Sequence, residues 1–167
     1  MKQMAPGRRK AIAYHEPGHI VAALDQRVQV RDATIVPNED YLGQVGHHSI
    51  FGRVRPDRAC SRRASRRIEQ SIIVSMAGPA AQRLYCKRNR ARSWPLHGGD
   101  SIIRRPLTSR ATCAVQMKRL KPILIGLRSR PTTSSQCSGS SLRSSRALLE
   151  HSTLSAAQIR DMADRSR

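Results

Sequence analysis

Two histidines stand four residues apart in the segment AIAYHEPGHIVAAL, and a glutamate directly follows the first of them. On a helix, residues i and i+4 lie on one face, so His15 and His19 can each point a ring nitrogen at one metal ion. Glu16, one position further round, then stands beside the remaining metal position, where a carboxylate can act as a general base. The pattern His-Glu-x-x-His therefore predicts a zinc site, although a motif this short also occurs by chance.

The residues around the motif favour the helix that such a site requires. From about Arg8 to Leu24 the chain is rich in Ala, Ile and Leu at helical spacing. Pro17 opposes this prediction, because a proline inside a helix lacks an amide hydrogen and crowds the carbonyl of Ala13, at a cost of about 3 kcal/mol. We expect a bent helix that still binds the metal.

The elements after the first helix predict an α+β fold that is mostly helical. RVQVRDATIVP has the alternation of a strand, and a weaker strand is expected around Leu42 to Ile50. Apolar residues then recur at three- and four-residue steps from about Asp57 to Tyr85. These patterns predict a short two-stranded hairpin followed by a long second helix, which is bent at AGPAA where Gly78 and Pro79 weaken its hydrogen bonds.

The chain changes character after residue 100. Between Ser101 and Leu149 there is no acidic residue, while ten residues are basic, and RPTTSSQCSGSSLRSSR has the composition of a low-complexity linker. We expect residues 101–146 to form an irregular basic segment. A flexible insertion and a pair of compensating reading-frame shifts in the coding DNA are both consistent with this composition.

Order is expected to return near the end of the chain. Ser155 and Gln158 have the spacing of a capping box, which predicts a short C-terminal helix. The expected organisation is a zinc peptidase-like core in residues 1–100, the irregular segment in 101–146, and a helix within 147–167 that completes the domain.

The charge of the chain suggests a second class of function. Its 31 basic and 11 acidic residues give a formal net charge of +20, which attracts nucleic acid non-specifically. No aromatic residues are interleaved with the arginine clusters to stack on bases, so solvated basic faces are the preferred interpretation. The four scattered cysteines and the absence of an apolar run of about 20 residues predict a cytoplasmic protein with reduced thiols.

Several segments resemble the peptidase domain of the FtsH-like ATP-dependent zinc metalloproteases. AIAYHEPGHIVAAL is similar to that family's zinc motif, which is close to A-x-H-E-A-G-H-A-x-V-A. ATIVP with LGQV is similar to a pair of strands after the zinc helix, IIVSMAGPAAQRLY to the second helix, and ALLEHSTLSAAQI to the terminal helix. The similar stretches cover about residues 10–100 and 147–163.

The resemblance implies a zinc-dependent endopeptidase. It makes His15 and His19 zinc ligands, Glu16 the general base, and Asp100 of HGGD the third ligand, with His97 as an alternative donor. Family members carry an ATPase module and often assemble into rings, but no G-x-x-x-x-G-K-[ST] occurs here. We therefore expect unfolded or peptide substrates, a separate ATPase partner if the activity depends on ATP, and a possible homo-oligomer.

Three departures from the family pattern leave a degenerate, inactive protein as an alternative. Pro17 stands where the family has Ala, Gln82 where it usually has Glu, and Pro106 interrupts the helix expected after Asp100. The adjacent His47 and His48 face opposite sides of the expected strand and are predicted to lie at the surface rather than to bind metal.

Overall fold

A computed structural model of the chain describes residues 5–52, 61–88 and 135–165. Helix α1, Pro6–Asp25, is the element around which the others are arranged. It begins with a proline in its first turn, where the missing amide hydrogen has no helical acceptor. The predicted helix is confirmed, and it runs without interruption through Pro17.

A small antiparallel sheet covers one side of α1. Strand β1, Val30–Thr34, is central, and it pairs with β2, Gln44–His47, on one side and with β3, Thr153–Ser155, on the other. The predicted hairpin of β1 and β2 is therefore confirmed. The third strand was not predicted from the sequence, and it ties the end of the described chain to the sheet.

Helix α2, Arg62–Arg88, packs antiparallel to α1 and continues through Pro79. The two backbones approach closely at Gly18, because a Cβ there would lie 2.5 Å from the carbonyl oxygen of Ala77. Toward the start of α1, the rings of Tyr14 and Tyr85 stack with their centroids 4.0 Å apart. This close packing brings α2 against the face of α1 that carries the two histidines.

Helix α3, Ser135–His151, corrects the expectation for the basic segment. Residues 135–146, which the sequence placed in an irregular stretch, belong to this helix, which packs against α1. Arg9 of α1 donates one hydrogen bond to the carbonyl oxygen of Leu149 and another to the hydroxyl of Ser152. The guanidinium group of Arg9 thus satisfies a carbonyl group at the C-terminal end of α3 and interacts favourably with the negative end of the helix dipole.

Helix α4, Ala156–Asp164, closes the described chain, so residues 147–165 contain the end of α3, a strand and a second helix rather than one helix. The predicted capping box is confirmed, since the Ser155 side chain accepts from the Gln158 backbone and the Gln158 side chain accepts from the Ser155 backbone.

The elements enclose one apolar core between α1 and the sheet, as the predicted α+β class requires. Its buried members come from every described helix and strand except β2: Ala13, Ile20, Ala23, Val28, Val30, Ala33, Ile35, Ile50, Val74, Leu148, Leu154 and Ile159. Within the described residues, no helix has the length and apolar character needed to cross a membrane.

Candidate metal centre

Helix α1 carries three residues of the predicted site, and it buries two of them. His15 is 7% exposed and Glu16 is 5% exposed, and His19, one turn further along, is half-buried. Burial of such polar groups is unfavourable unless each has a partner or binds an ion. Their surroundings therefore decide what the site can do.

The two histidine rings face one another through their Nε2 atoms, which lie 3.1 Å apart. The other nitrogen of each ring meets an oxygen of α2. His19 Nδ1 lies 2.6 Å from the carbonyl oxygen of Val74, and His15 Nδ1 lies 2.9 Å from Oε1 of Gln82. Because both oxygens are acceptors, each Nδ1 carries the proton, and two Nε2 lone pairs are left pointing into one space.

This arrangement fits a bound cation better than a protonated histidine. Burial lowers the pKa of His15, and burial together with the neighbouring His15 lowers the pKa of His19 to about 4. An imidazolium that could bridge the two lone pairs is therefore unfavourable near neutral pH. Zinc binds histidine nitrogen at about 2.0–2.1 Å, so two ligands of a tetrahedral ion lie roughly 3.3 Å apart, close to the observed separation.

Gly78 of α2 lies directly against the two rings. A Cβ on this residue would lie 2.7 Å from Nε2 of His15 and closer still to Nε2 of His19. Any side chain here would push against both candidate ligand atoms. The glycine thus permits α2 to approach the face of α1 that carries the two histidines.

Glu16 is a buried carboxyl group with no hydrogen-bond or ion-pair partner in the described parts of the chain. Burial raises its pKa from 4.5 to about 8, because the charged form is poorly solvated there. Its Oε1 lies toward β2, where a Cβ on Gly43 would be 2.7 Å away. The Glu16 carboxyl group therefore lies between α1 and the residue that precedes β2.

Both candidates for a third ligand, Asp100 and His97, lie outside the residues that the structure describes. Within residues 5–52, 61–88 and 135–165, no three metal-ligating side chains lie close enough together to hold an ion. The described chain therefore supplies two neighbouring histidines and the candidate base, and the assignment of His15, His19 and Asp100 as zinc ligands stays a prediction.

His47 lies closer to the site than the sequence indicated. It pairs with the buried Val30 across the sheet, and directly paired residues share a face, so its ring is on the side of the sheet toward the core. His47 is half-buried and contributes to the lowered pKa of His19, whereas His48 is exposed as expected. Only the strand alternation could have indicated which of the two adjacent histidines faces inward.

The sequence did not predict the roles of two further residues of the site, Gln82 and Gly78. Gln82 differs from the glutamate of the similar family, and its contact with His15 shows that the amide oxygen can still hold the ring. Gly78 was expected only to weaken α2.

No protein-family model and no curated protein matches the chain, so the interpretation of the site depends on its geometry and on the resemblance of the motifs.

Proposed function

We propose that the protein is a zinc-dependent metalloendopeptidase, with His15 and His19 as two of the zinc ligands and Glu16 as the general base. The observation that carries the proposal is the pair of Nε2 atoms, 3.1 Å apart, with both Nδ1 atoms held by oxygen acceptors. Ligand histidines in zinc sites characteristically donate their second ring N–H to such an acceptor, which fixes the tautomer and the ring orientation. Asp100, or else His97, would complete the set.

Each residue of the site has a separate role in the proposed reaction. Zinc, when bound, supplies the Lewis acidity that activates water and polarises a peptide carbonyl. The Glu16 carboxylate accepts the proton of the attacking water and delivers it to the departing amine. Val74 and Gln82 hold the histidine rings in the orientation that directs both Nε2 atoms into the space beside Gly78.

The sheet beside the site is suited to an extended peptide. In the described chain, β2 is an edge strand, and Gly43, just before it, lies against Glu16. An unfolded chain can add to such an edge through backbone hydrogen bonds, which makes little demand on its sequence. Unfolded or peptide substrates are therefore proposed. A separate ATPase partner, a homo-oligomer and a cytoplasmic location are proposed from the resemblance and the composition.

The test is zinc stoichiometry measured together with casein cleavage on the full chain. We expect one zinc per wild-type chain, loss of zinc in His15→Ala and Asp100→Ala, and retention of zinc with loss of cleavage in Glu16→Gln. His151→Ala, which removes an exposed histidine at the end of α3, is the matched control and should retain both. Zinc lost in His15→Ala but kept in Asp100→Ala would transfer the third ligand to another residue, with His97 tested next. A wild-type chain without zinc would refute the proposal.

A basic nucleic-acid-binding protein is the second candidate, favoured by the start of α2. Its first turn contains no acidic residue, and Arg62, Arg63 and Arg66 are exposed without a partner in the described regions. Cations at a helix N-terminus oppose the helix dipole, which a bound polyanion would offset. Retention on DNA that weakens steeply with salt, and weakens further when these three arginines are replaced by Gln, would support this candidate. A chain that is retained on DNA and contains no zinc would favour this candidate over the peptidase.

A further inference from the structure

A cavity of about 280 Å³ lies at the opposite end of α1 from its basic N-terminus. It is half open to solvent and is bordered by the end of α1, the start of β1 and one face of α4; its lining residues are Leu24, Arg27, Val28, Gln29, Val30, Ile159 and Arg160. The cavity begins five residues beyond His19, which corresponds to about 8 Å along a helix axis. It is therefore separate from the candidate metal centre.

The wall and the rim of the cavity differ in character. Val28, Val30 and Ile159 form an apolar wall, and all three are buried. Arg27 and Arg160 stand at the rim, and both are exposed. Neither guanidinium group has a hydrogen-bond or ion-pair partner among the residues that the structure describes. An apolar space with two uncompensated cations at its mouth is complementary to an anion that carries an apolar body.

Arg27 occupies its place at the rim in an unfavourable backbone conformation. Its φ angle is +55°, at the turn where the Val28 amide bonds to the carbonyl oxygen of Ala23 and ends α1. Glycine is the usual residue at such a helix end, because a Cβ is disfavoured in the left-handed region. An arginine here keeps a strained conformation while placing its guanidinium beside the cavity, and strain of this kind often accompanies a functional site.

We propose that the cavity binds a short aliphatic carboxylate. A guanidinium group presents two parallel N–H donors that match the two oxygens of a carboxylate, so Arg27 and Arg160 would hold the acid group. The wall of valine and isoleucine side chains would cover the aliphatic part. The volume corresponds to about nine water molecules in the liquid, which admits an aliphatic chain of about eight carbons rather than a long acyl chain.

Octanoate is the probe for this proposal, titrated into the full-length protein with chelator present so that the metal centre makes no contribution. Amide signals in residues 24–30 and 159–160 should shift together and saturate, with a Kd on the order of 1 mM or below. Arg27→Gly and Arg160→Ala should each weaken binding about tenfold or more, because each removes a charge-assisted hydrogen bond. Arg27→Gly also relieves the backbone strain, so the loss cannot be due to unfolding.

Two controls make the outcome decisive. Arg146→Ala removes an exposed arginine of α3 that does not line the cavity, and it should leave the octanoate affinity unchanged. Octanol, which has the same chain without the charge, should bind at least about tenfold more weakly than octanoate. The proposal is overturned if no signals saturate, if the two cavity variants bind as well as Arg146→Ala, or if octanol binds equally. Tighter binding of a peptide ending in leucine would overturn the assignment to a free acid.

Discussion

The stability of the metal-free protein should fall as the pH rises from 6.5 to 8, and Glu16 should be the cause. Burial raises the pKa of this carboxyl group from 4.5 to about 8. In that range the unfolded chain has already lost the proton, whereas the folded chain retains it, so a rise in pH favours the unfolded state. One proton over 1.5 pH units changes the free energy of unfolding by about 2 kcal/mol.

The histidines of the site do not obscure this effect above pH 6.5. Burial lowers the pKa values of His15 and His19 from 6.5, that of His19 to about 4. Below pH 6.5 the unfolded chain therefore binds more protons than the folded one, and the contribution of the histidines to stability grows as the pH rises toward 6.5. Above 6.5 the unfolded histidines lose their remaining protons, which gives a smaller slope of opposite sign that is the same in the wild type and in a Glu16→Gln variant. The difference between these two proteins between pH 6.5 and 8 thus isolates Glu16.

Urea unfolding in the presence of a chelator, at four pH values from 6.5 to 8, measures the slope. The wild type should lose about 2 kcal/mol across the interval relative to Glu16→Gln, which cannot titrate at this position. Glu39→Gln removes an exposed carboxyl group and should follow the wild type. The same slope in the wild type and in Glu16→Gln would show that Glu16 is ionised in the folded metal-free protein.

Three substitutions test the packing around the histidines. Pro17→Ala restores the amide donor to the Ala13 carbonyl and should raise both helix content, by circular dichroism, and zinc affinity; an unchanged affinity would show that the proline does not distort the site. Gly78→Ala places a Cβ within 3 Å of both Nε2 atoms and should weaken zinc binding at least about tenfold in a chelator competition. Gln82→Ala removes the acceptor of His15 Nδ1 and should weaken zinc binding about 10- to 100-fold, with recovery in Gln82→Glu; equal affinity in all three proteins would refute the orienting role.

Local patterns in the sequence were sufficient to predict α1, α2, β1 and the final capping box. Each of these elements is determined by apolar spacing or by a side chain that bonds within its own segment, so a window of a few residues contains the signal. The zinc motif belongs to the same class, because His15 and His19 come together through helix geometry alone.

The elements that could not be predicted depend on distant partners. Strand β3 has only three residues, Thr153–Ser155, and it exists because β1 offers an unpaired edge more than a hundred residues earlier. Helix α3 begins in Ser- and Arg-rich sequence with little apolar periodicity, and packing of Leu148 into the core and the bonds from Arg9 stabilise its C-terminal part. Likewise, the acceptors for the two histidines come from α2, and no local pattern predicts which of its turns faces α1.

The raised pKa of Glu16 places a condition on the proposed peptidase. A carboxyl group with a pKa of about 8 is mostly protonated at pH 7, so in the metal-free protein it cannot serve as the base. A divalent cation bound by His15 and His19 would favour the charged form of Glu16 and return its pKa toward the range where a carboxylate accepts a proton. Because the two histidines are already neutral at this pH, zinc binding should release a proton from Glu16 in addition to whatever the zinc-bound water releases.

Calorimetric titration of zinc at pH 7 in buffers of different ionisation enthalpy counts the released protons. The wild type should release close to one proton more than Glu16→Gln, while both bind zinc. Equal proton release from the two proteins would mean that the cation does not interact with Glu16, and the carboxyl group would then be a buried acid rather than a base. In this site the metal would therefore do more than activate water, because it would also create the carboxylate that the reaction needs.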